Sequence, residues 1–388
     1  MIPSDGRVRL QITRPVDRML LDRVRRAARL TYFALRTPAL LALGLFRHRE
    51  RRPPAPSRVS RVLVIRTDRI GDMALTTPAL GELRAHFRKA EITVLAPPAP
   101  LELLREHPAV DHLVPLQGNR LPPDLVGRFD LVIDFTPDEA LRGALLARAS
   151  NARLRVGFRA AGRQACFSLR GARAERRRHI VDLNRDLLDS LGVPATSVRP
   201  ELYVSAEERG AAQAGLASRG AAAPRVAVHP GGHSPSQRWS PERFAELITS
   251  LTERCGAACI VVAGPDEQGL TRRVCDATPD ALPAGGLSIR QLMALLASCD
   301  LFVGNNSGPL HVAAALGVPT VSVMGPSDPL RFAPRGPADR VVRRELPCSP
   351  CQRARCWHHT CLRSVETDEV LDQAEAALLM RLPRTEAR

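Results

Sequence analysis

The chain has 388 residues, 44% of them hydrophobic and 25% charged. That length allows two ordinary domains with a buried core in each, and the composition excludes large-scale disorder. The formal net charge is +16, and the basic side is almost wholly arginine, with Lys89 the only lysine.

The positive charge is unevenly placed: residues 1–60 hold fourteen arginines against four acids, and a second basic run lies between Arg155 and Arg178. Charge of this kind attracts phosphate-rich partners or an anionic lipid surface; the plain alternative is a set of solvated faces. Nucleic acid is not the expected partner, because no aromatic-interleaved basic surface accompanies the charge. The opening MIPSDGRVRL lacks the basic-then-apolar order of a secretory signal. The uncharged apolar stretch Thr37 to Phe46 is too short to span a bilayer. Around it, Val24 to Phe46 reads as a basic, partly amphipathic helix. It would lie on the inner face of a membrane or pack against the first domain.

In chain order, Val62 to Ile65 is a buried strand, and the chain turns polar at Arg66 before Gly71 and Asp72. A helical pattern runs from Ala74 to Phe87, with Pro78 near its first turn. Strand Ile92 to Leu95, helix Pro100 to Glu106, and strands His112 to Pro115 and Phe129 to Asp134 follow. The alanine- and glycine-rich stretch from Ser205 to Pro224 reads as helix plus linker. The alternation then resumes. Strand Val226 to His229, helix Pro241 to Arg254, strand Cys259 to Ala263 and helix Glu267 to Ala277 come first. After Ile289 to Ser298 come strand Leu301 to Gly304, helix Leu310 to Leu316 and strand Thr320 to Met324.

Short apolar strands alternating with helices call for parallel sheets covered on both faces. The expected architecture is α/β, two Rossmann-like domains facing a central cleft. The expected layout is an arm at 1–56, a first domain at 57–204, a linker at 205–224 and a second domain at 225–345. Residues 346–388 would hold a cysteine cluster and a C-terminal helix. Polar or glycine-rich turns at 66–72, 229–239, 264–267, 304–311 and 325–329 all follow strands, where open α/β sheets bind ligands. Helix N-termini there offer unpaired N–H groups to phosphate. No Walker A sequence or GxGxxG fingerprint occupies these turns, which argues against ATPase and dinucleotide-oxidoreductase readings.

Three segments carry a resemblance: VLVIRTDRIGDMALTTPAL from Val62 to Leu80, HPGGHSPSQRWSPERF from His229 to Phe244, and GNNSGPLHVAAALGVPTVSVMGPSDP from Gly304 to Pro329. In order and separation they resemble the bacterial lipopolysaccharide core heptosyltransferases, glycosyltransferase family 9, over about residues 60–380. The resemblance implies the two-lobed B fold (GT-B) and inversion at the anomeric carbon by direct displacement, without a catalytic metal. It also implies an ADP-sugar donor, ADP-heptose in particular, and a lipid-linked saccharide acceptor at the cytoplasmic side of the inner membrane. Transfer of another sugar, or to protein, is the alternative within enzymes. A nucleotide- or saccharide-binding protein that has lost catalysis is the alternative outside them.

Such chemistry needs a base near the acceptor hydroxyl, donors for the pyrophosphate charge and a nucleotide pocket. Asp72 matches the family's catalytic aspartate; the other reading is an N-cap just ahead of a helix. Gln237 stands where the family commonly has a phosphate-contacting lysine. Arg238 beside it offers a planar, always-charged fork to diphosphate, or pairs with Glu242. Asn306 stands where the family has an acid that contacts the transferred sugar. Ser307 and Gly308 open a helix and present N–H groups to the diphosphate. His311 either sits under the nucleotide turn or is a core histidine satisfied by a backbone carbonyl. Glu267 is placed for the ribose hydroxyls; a solvated acid is the alternative.

The nine cysteines divide into two groups. Cys166, Cys255, Cys259, Cys275 and Cys299 are scattered among apolar or helical segments and read as buried thiols. Cys348, Cys351, Cys356 and Cys361 fall within fourteen residues, with His358 and His359 among them. They could hold structural zinc or iron and clip the C-terminal segment; free thiols and disulfides are the alternatives.

Overall fold

Eleven strands form two wholly parallel sheets in the computed structural model, which describes residues 31–380 except 33, 41, 43–52, 176, 195–198 and 352. The first sheet has the order β3-β2-β1-β4-β5. Its strands are β1 (Arg61–Ile65), β2 (Glu91–Ala96), β3 (His112–Pro115), β4 (Leu131–Asp134) and β5 (Leu154–Gly157). The second has the order β11-β10-β9-β6-β7-β8. It comprises β6 (Arg225–His229), β7 (Ala258–Val262), β8 (Leu282–Ala284), β9 (Leu301–Asn305), β10 (Thr320–Val323) and β11 (Arg340–Val342). In each sheet the first strand in the chain sits centrally and the order reverses beside it. That reversal opens a crevice at the carboxyl edge. The expected two-lobed α/β architecture is the observed one.

The central strands are continuous apolar runs because both faces are covered; Val62 to Ile65 and Leu301 to Val303 are fully buried. Prolines sit only in edge strands, Pro115 in β3 and Pro283 in β8, where a missing N–H is tolerated. One apolar cluster runs from Val62 and Met73 in the first lobe to Leu310 and Val312 in the second. The lobes therefore meet over packed side chains as well as over solvent.

The helix expected over 74–87 is two helices, Ile70–Ala74 and Thr77–His86. Pro78 enters the first turn of the second helix, where its missing N–H costs nothing, and the chain bends at Leu75 and Thr76. The helix expected over 100–106 starts earlier, at Pro98, and ends at Glu102. The stretch expected as partly linker holds helix Ala206–Ala217, opened by a reciprocal cap between Ser205 and Glu208. Its Glu208 pairs with Arg290, which fastens it to helix Ile289–Ala297.

The C-terminal segment is part of the second lobe. Helix Thr367–Leu379 buries Val370, Leu371 and Ala374 in one cluster with Val321 and Val323 of β10. Of the N-terminal arm, residues 1–30 and 43–52 lie outside the described residues, so the membrane reading of Val24 to Phe46 is not resolved there. Residues 34–40 are helical, and Arg36 donates hydrogen bonds to the carbonyls of Ala161 (2.8 Å) and Glu139 (2.8 Å). This part packs against the first lobe. Among the described residues no helix is long and apolar enough to cross a membrane.

Candidate active site

The loops after β1 and β9 meet between the lobes, and glycine on both sides permits the approach. A Cβ on Gly71 would lie 2.9 Å from Cδ2 of His311 and 3.3 Å from Cα of Gly308. A Cβ on Gly308 would lie 2.5 Å from Cγ1 of Ile70. Both glycines are helical, so small size, rather than a left-handed backbone, is what these positions need. Gly71 falls in the turn expected over 66–72; it is the second residue of helix Ile70–Ala74.

Asp72 is accordingly inside the helix, not at its N-cap. Its Oδ2 accepts a long bond of 3.4 Å from the Arg69 backbone N–H, and its side chain is 26% exposed to the cleft. The capping reading therefore survives only as this weak contact with the first turn. A stronger neighbour is Arg66, which is fully buried and was not foreseen as a site residue. Its guanidinium donates to the Phe135 carbonyl and lies between two carboxylates, with Nε 3.1 Å from Asp68 and Nη2 3.4 Å from Asp72. Burial pushes the Asp68 carboxyl up to about 7. Arg66 pulls the other way, and the charges of Asp72, Asp138 and Asp134 add to the rise. The one available signal for Asp68 was two acids four residues apart in a single strand-to-helix turn.

The floor beneath this corner is a fully buried ion pair of Asp134, the last residue of β4, with Arg163. Arg163 also donates to the Thr136 carbonyl at 2.6 Å. Asp134 is thereby a structural acid.

On the second lobe, Ser307 is the N-cap and Gly308 the first residue of helix Gly308–Ala315, as expected. The Ser307 side chain does not cap the helix. Its Oγ meets Nδ1 of His229 at 3.0 Å, leaving the N–H groups of the first turn for a ligand. His229 Nε2 lies 3.0 Å from Glu267, whose carboxylate also accepts from the N–H groups of Gly232 (2.7 Å) and Gly264 (3.0 Å). Burial pushes this carboxyl up, but the hydrogen bond and charge of His229 and the two backbone donors outweigh it and hold it near 2. Glu267 is thus not a solvated acid; its carboxylate is engaged by His229 and two backbone N–H groups. It fastens the 229–232 loop to the end of β7.

A second fastener, Asn305, was missed. Fully buried, it accepts from the Trp239 N–H at 2.9 Å and donates to the carbonyls of Pro230 (3.0 Å) and Gly231 (2.9 Å). Arg238 does not pair with Glu242, which binds Arg273 instead. Its Nε holds the Gly232 carbonyl at 2.8 Å, and among the described residues its charge has no carboxylate partner. Gln237 donates to Ser327 at 3.3 Å, while its amide oxygen and that of Asn306 are buried without partners among the described residues. Across the cleft, Arg69 meets Nε2 of His233 at 2.8 Å. Burial, then Arg69, then Arg238 lower the pKa of His233.

His311 is buried against Gly71 and the Asp72 corner. Burial drives its pKa down to about 4 against the pull of Asp72, so the ring is neutral at pH 7. Its Nδ1 has no partner among the described residues, which removes the reading of that atom as satisfied by a carbonyl.

The four clustered cysteines are free thiols, as are the other five. Cys361 is buried and Cys348 and Cys351 are exposed. Burial and then the charges of Cys351, Cys356 and Cys348 raise the pKa of Cys361. Among the described residues no three His, Cys, Asp or Glu side chains are arranged to hold a metal ion.

Two parallel α/β lobes meet at one crevice. One lobe supplies an acid, and the other supplies a helix N-terminus and, on the loop after β6, the arginine Arg238. This is the framework of a GT-B glycosyltransferase, an enzyme that moves a sugar from a nucleotide carrier. The chain belongs to glycosyltransferase family 9 (heptosyltransferase), whose sequence model matches residues 120–361, more than half of its length. It is 25% identical over 291 residues to lipopolysaccharide heptosyltransferase 3 of Escherichia coli, covering 68% of this chain and 83% of that one. In structure it is similar to a family 9 glycosyltransferase of Veillonella parvula, with a TM-score of 0.70 and 24% identity over 82% of this chain and 97% of that one. The ADP-heptose heptosyltransferase II of E. coli superposes with a TM-score of 0.68 at 23% identity, over 82% of this chain and 98% of its own.

Proposed function

We propose that this glycosyltransferase moves heptose from ADP-heptose, with inversion, onto a lipid-linked saccharide of the lipopolysaccharide core type. One observation carries the reading. The residue after Gly71 is an acid open to the cleft, and Gly71 itself touches the helix N-terminus that would hold the donor diphosphate. An acceptor hydroxyl beside Asp72 loses its proton to the carboxylate as its oxygen bonds to the anomeric carbon. The bond from that carbon to the diphosphate oxygen breaks in the same step. The negative charge that develops on the leaving group faces the N–H groups of Gly308, Leu310 and His311 and the Arg238 guanidinium. Arg66, itself paired with Asp68, holds Asp72 from behind. The partnerless amide oxygens of Asn306 and Gln237 suit sugar hydroxyls.

The related proteins named for heptose transfer support this donor, and the basic N-terminal sequence supports an acceptor anchored at the cytoplasmic face of a membrane. The uncharged Gln237 and Asn306 favour a second reading, transfer of a different nucleotide sugar. Calorimetric titration with ADP, GDP, UDP and CDP separates the two, followed by mass analysis of the product formed from ADP-heptose and a lipid-A-core acceptor. Binding of ADP and a product heavier by one heptose support the proposal. Preference for another nucleotide overturns the donor.

We propose further that Cys348, Cys351, Cys356 and Cys361 hold one structural zinc or iron ion. Four soft sulfurs within fourteen residues support the reading; among the described residues they are not arranged around an ion, so the exposed Cys348 and Cys351 would have to close on Cys361 to complete the set.

A further inference from the structure

The cysteine segment lies against the donor loops. Ser236, almost wholly buried in the loop after β6, donates through Oγ to the Arg353 carbonyl, and its N–H reaches the Ala354 carbonyl at 3.4 Å. On the loop after β10, the Gly325 carbonyl accepts from Ser349 Oγ at 2.6 Å, and the Pro326 carbonyl accepts from the Cys351 N–H at 3.0 Å. A Cβ on Gly325 would meet Leu362 Cγ at 2.6 Å and Cys361 Sγ at 3.1 Å, so the segment presses on that loop. Among the described residues the two loops are joined directly by the bond from Gln237 to Ser327.

We propose that residues 349–351 and 353–361 are a clasp that sets donor affinity by holding these two loops in register, with Ser236 and Ser349 as its attachment points. A loop that must be ordered on binding lowers affinity, and pre-ordering it removes that loss. The clasp holds the loop of Gln237 and Arg238 at one end and the Pro326–Asp328 turn at the other. Neither serine is among the residues placed in contact with the reacting groups. They are positioning residues, and their removal weakens nucleotide binding while leaving the chemical step intact. The inference rests on the reading that the donor diphosphate sits at residues 307–311.

The test is calorimetric titration of ADP into the full-length wild type, Ser236→Ala and Ser349→Ala, with steady-state kinetics at saturating donor. Each variant is expected to bind ADP roughly 5- to 30-fold more weakly, the equivalent of one buried hydrogen bond. The donor KM should rise in step, with kcat and the acceptor KM within twofold of wild type. Ser349 is only half-buried, so its variant carries the test if Ser236→Ala does not fold. Folded variants with wild-type ADP affinity overturn the clasp and leave the donor reading standing. A wild type that fails to bind ADP overturns the donor reading and the clasp with it. A fall in kcat equal to the rise in KM also overturns the clasp, because the serines would then act on the reacting groups.

Discussion

Replacing Gly71 by alanine tests the contact that brings the two lobes' machinery together. Gly71 has a helical backbone, so alanine alone would favour the helix by about 1 kcal/mol. Against this, the new methyl would sit 2.9 Å from His311 Cδ2 and 3.3 Å from Gly308 Cα. Carbon atoms rest about 3.5–4.0 Å apart, so the first contact falls short by roughly half an ångström or more. The His311 ring is 6% exposed and Gly308 offers only backbone, so neither can yield at an exposed tip. Overpacking of this kind costs about 1–3 kcal/mol. It exceeds the helical gain and is relieved by moving helix Ile70–Ala74 away from Gly308. Asp72, the next residue, moves with it. A misplacement of reacting groups by about 1 Å can cost on the order of 10² in rate, so kcat/KM of Gly71→Ala should fall roughly 10- to 100-fold. ADP affinity should stay within about threefold, since the donor helix itself is untouched. Steady-state kinetics and calorimetry on the same preparation decide the matter. A folded variant with wild-type kcat/KM would show that the close glycine contact does not set the position of Asp72, and the reasoning would fail.

Glu267→Gln should lower stability by about 1–3 kcal/mol at pH 7, because a carboxylate held near 2 in the folded protein stabilises it above pH 4.5. That difference should shrink as the pH falls from 4.5 toward 2, which denaturant unfolding at several pH values will show. Elemental analysis of protein purified without added metal should find about one zinc or iron ion per chain. A folded, metal-free preparation with four alkylatable thiols in the 348–361 segment would reject the metal.

The central strands were legible because fully buried parallel strands are written as unbroken apolar runs. The strands that escaped were those whose pattern is diluted. β5 carries Arg155 in its middle, which bonds back to the carbonyl of Cys166, and β8 and β11 are three-residue edges. Asp72 and the 307–311 helix start were legible as sequence signals at strand ends. Their contact was not, since a glycine's value for close approach depends on what it approaches. Arg66, Asp68 and Asn305 escaped for a related reason. A buried arginine or asparagine is bearable only through partners far away in the chain, here Phe135 and Pro230 among others. The same holds for Glu267, where sequence gave an acid near a ribose and the fold spends its carboxylate on His229 and two backbone N–H groups. The cysteine segment read as a tail because nothing local announces that Ser349 and Arg353 fold back onto loops 24 and 117 positions earlier.

Asp72→Asn is the most direct measurement of the account. Asparagine keeps the size of the side chain and removes its basicity, while the Arg69 contact and the fold tolerate an amide. Turnover at saturating ADP-heptose and acceptor should fall by roughly 10²-fold or more, with ADP affinity unchanged. A loss smaller than about threefold, with the chemical step shown to limit the rate, would remove Asp72 as the base and contradict the mechanism.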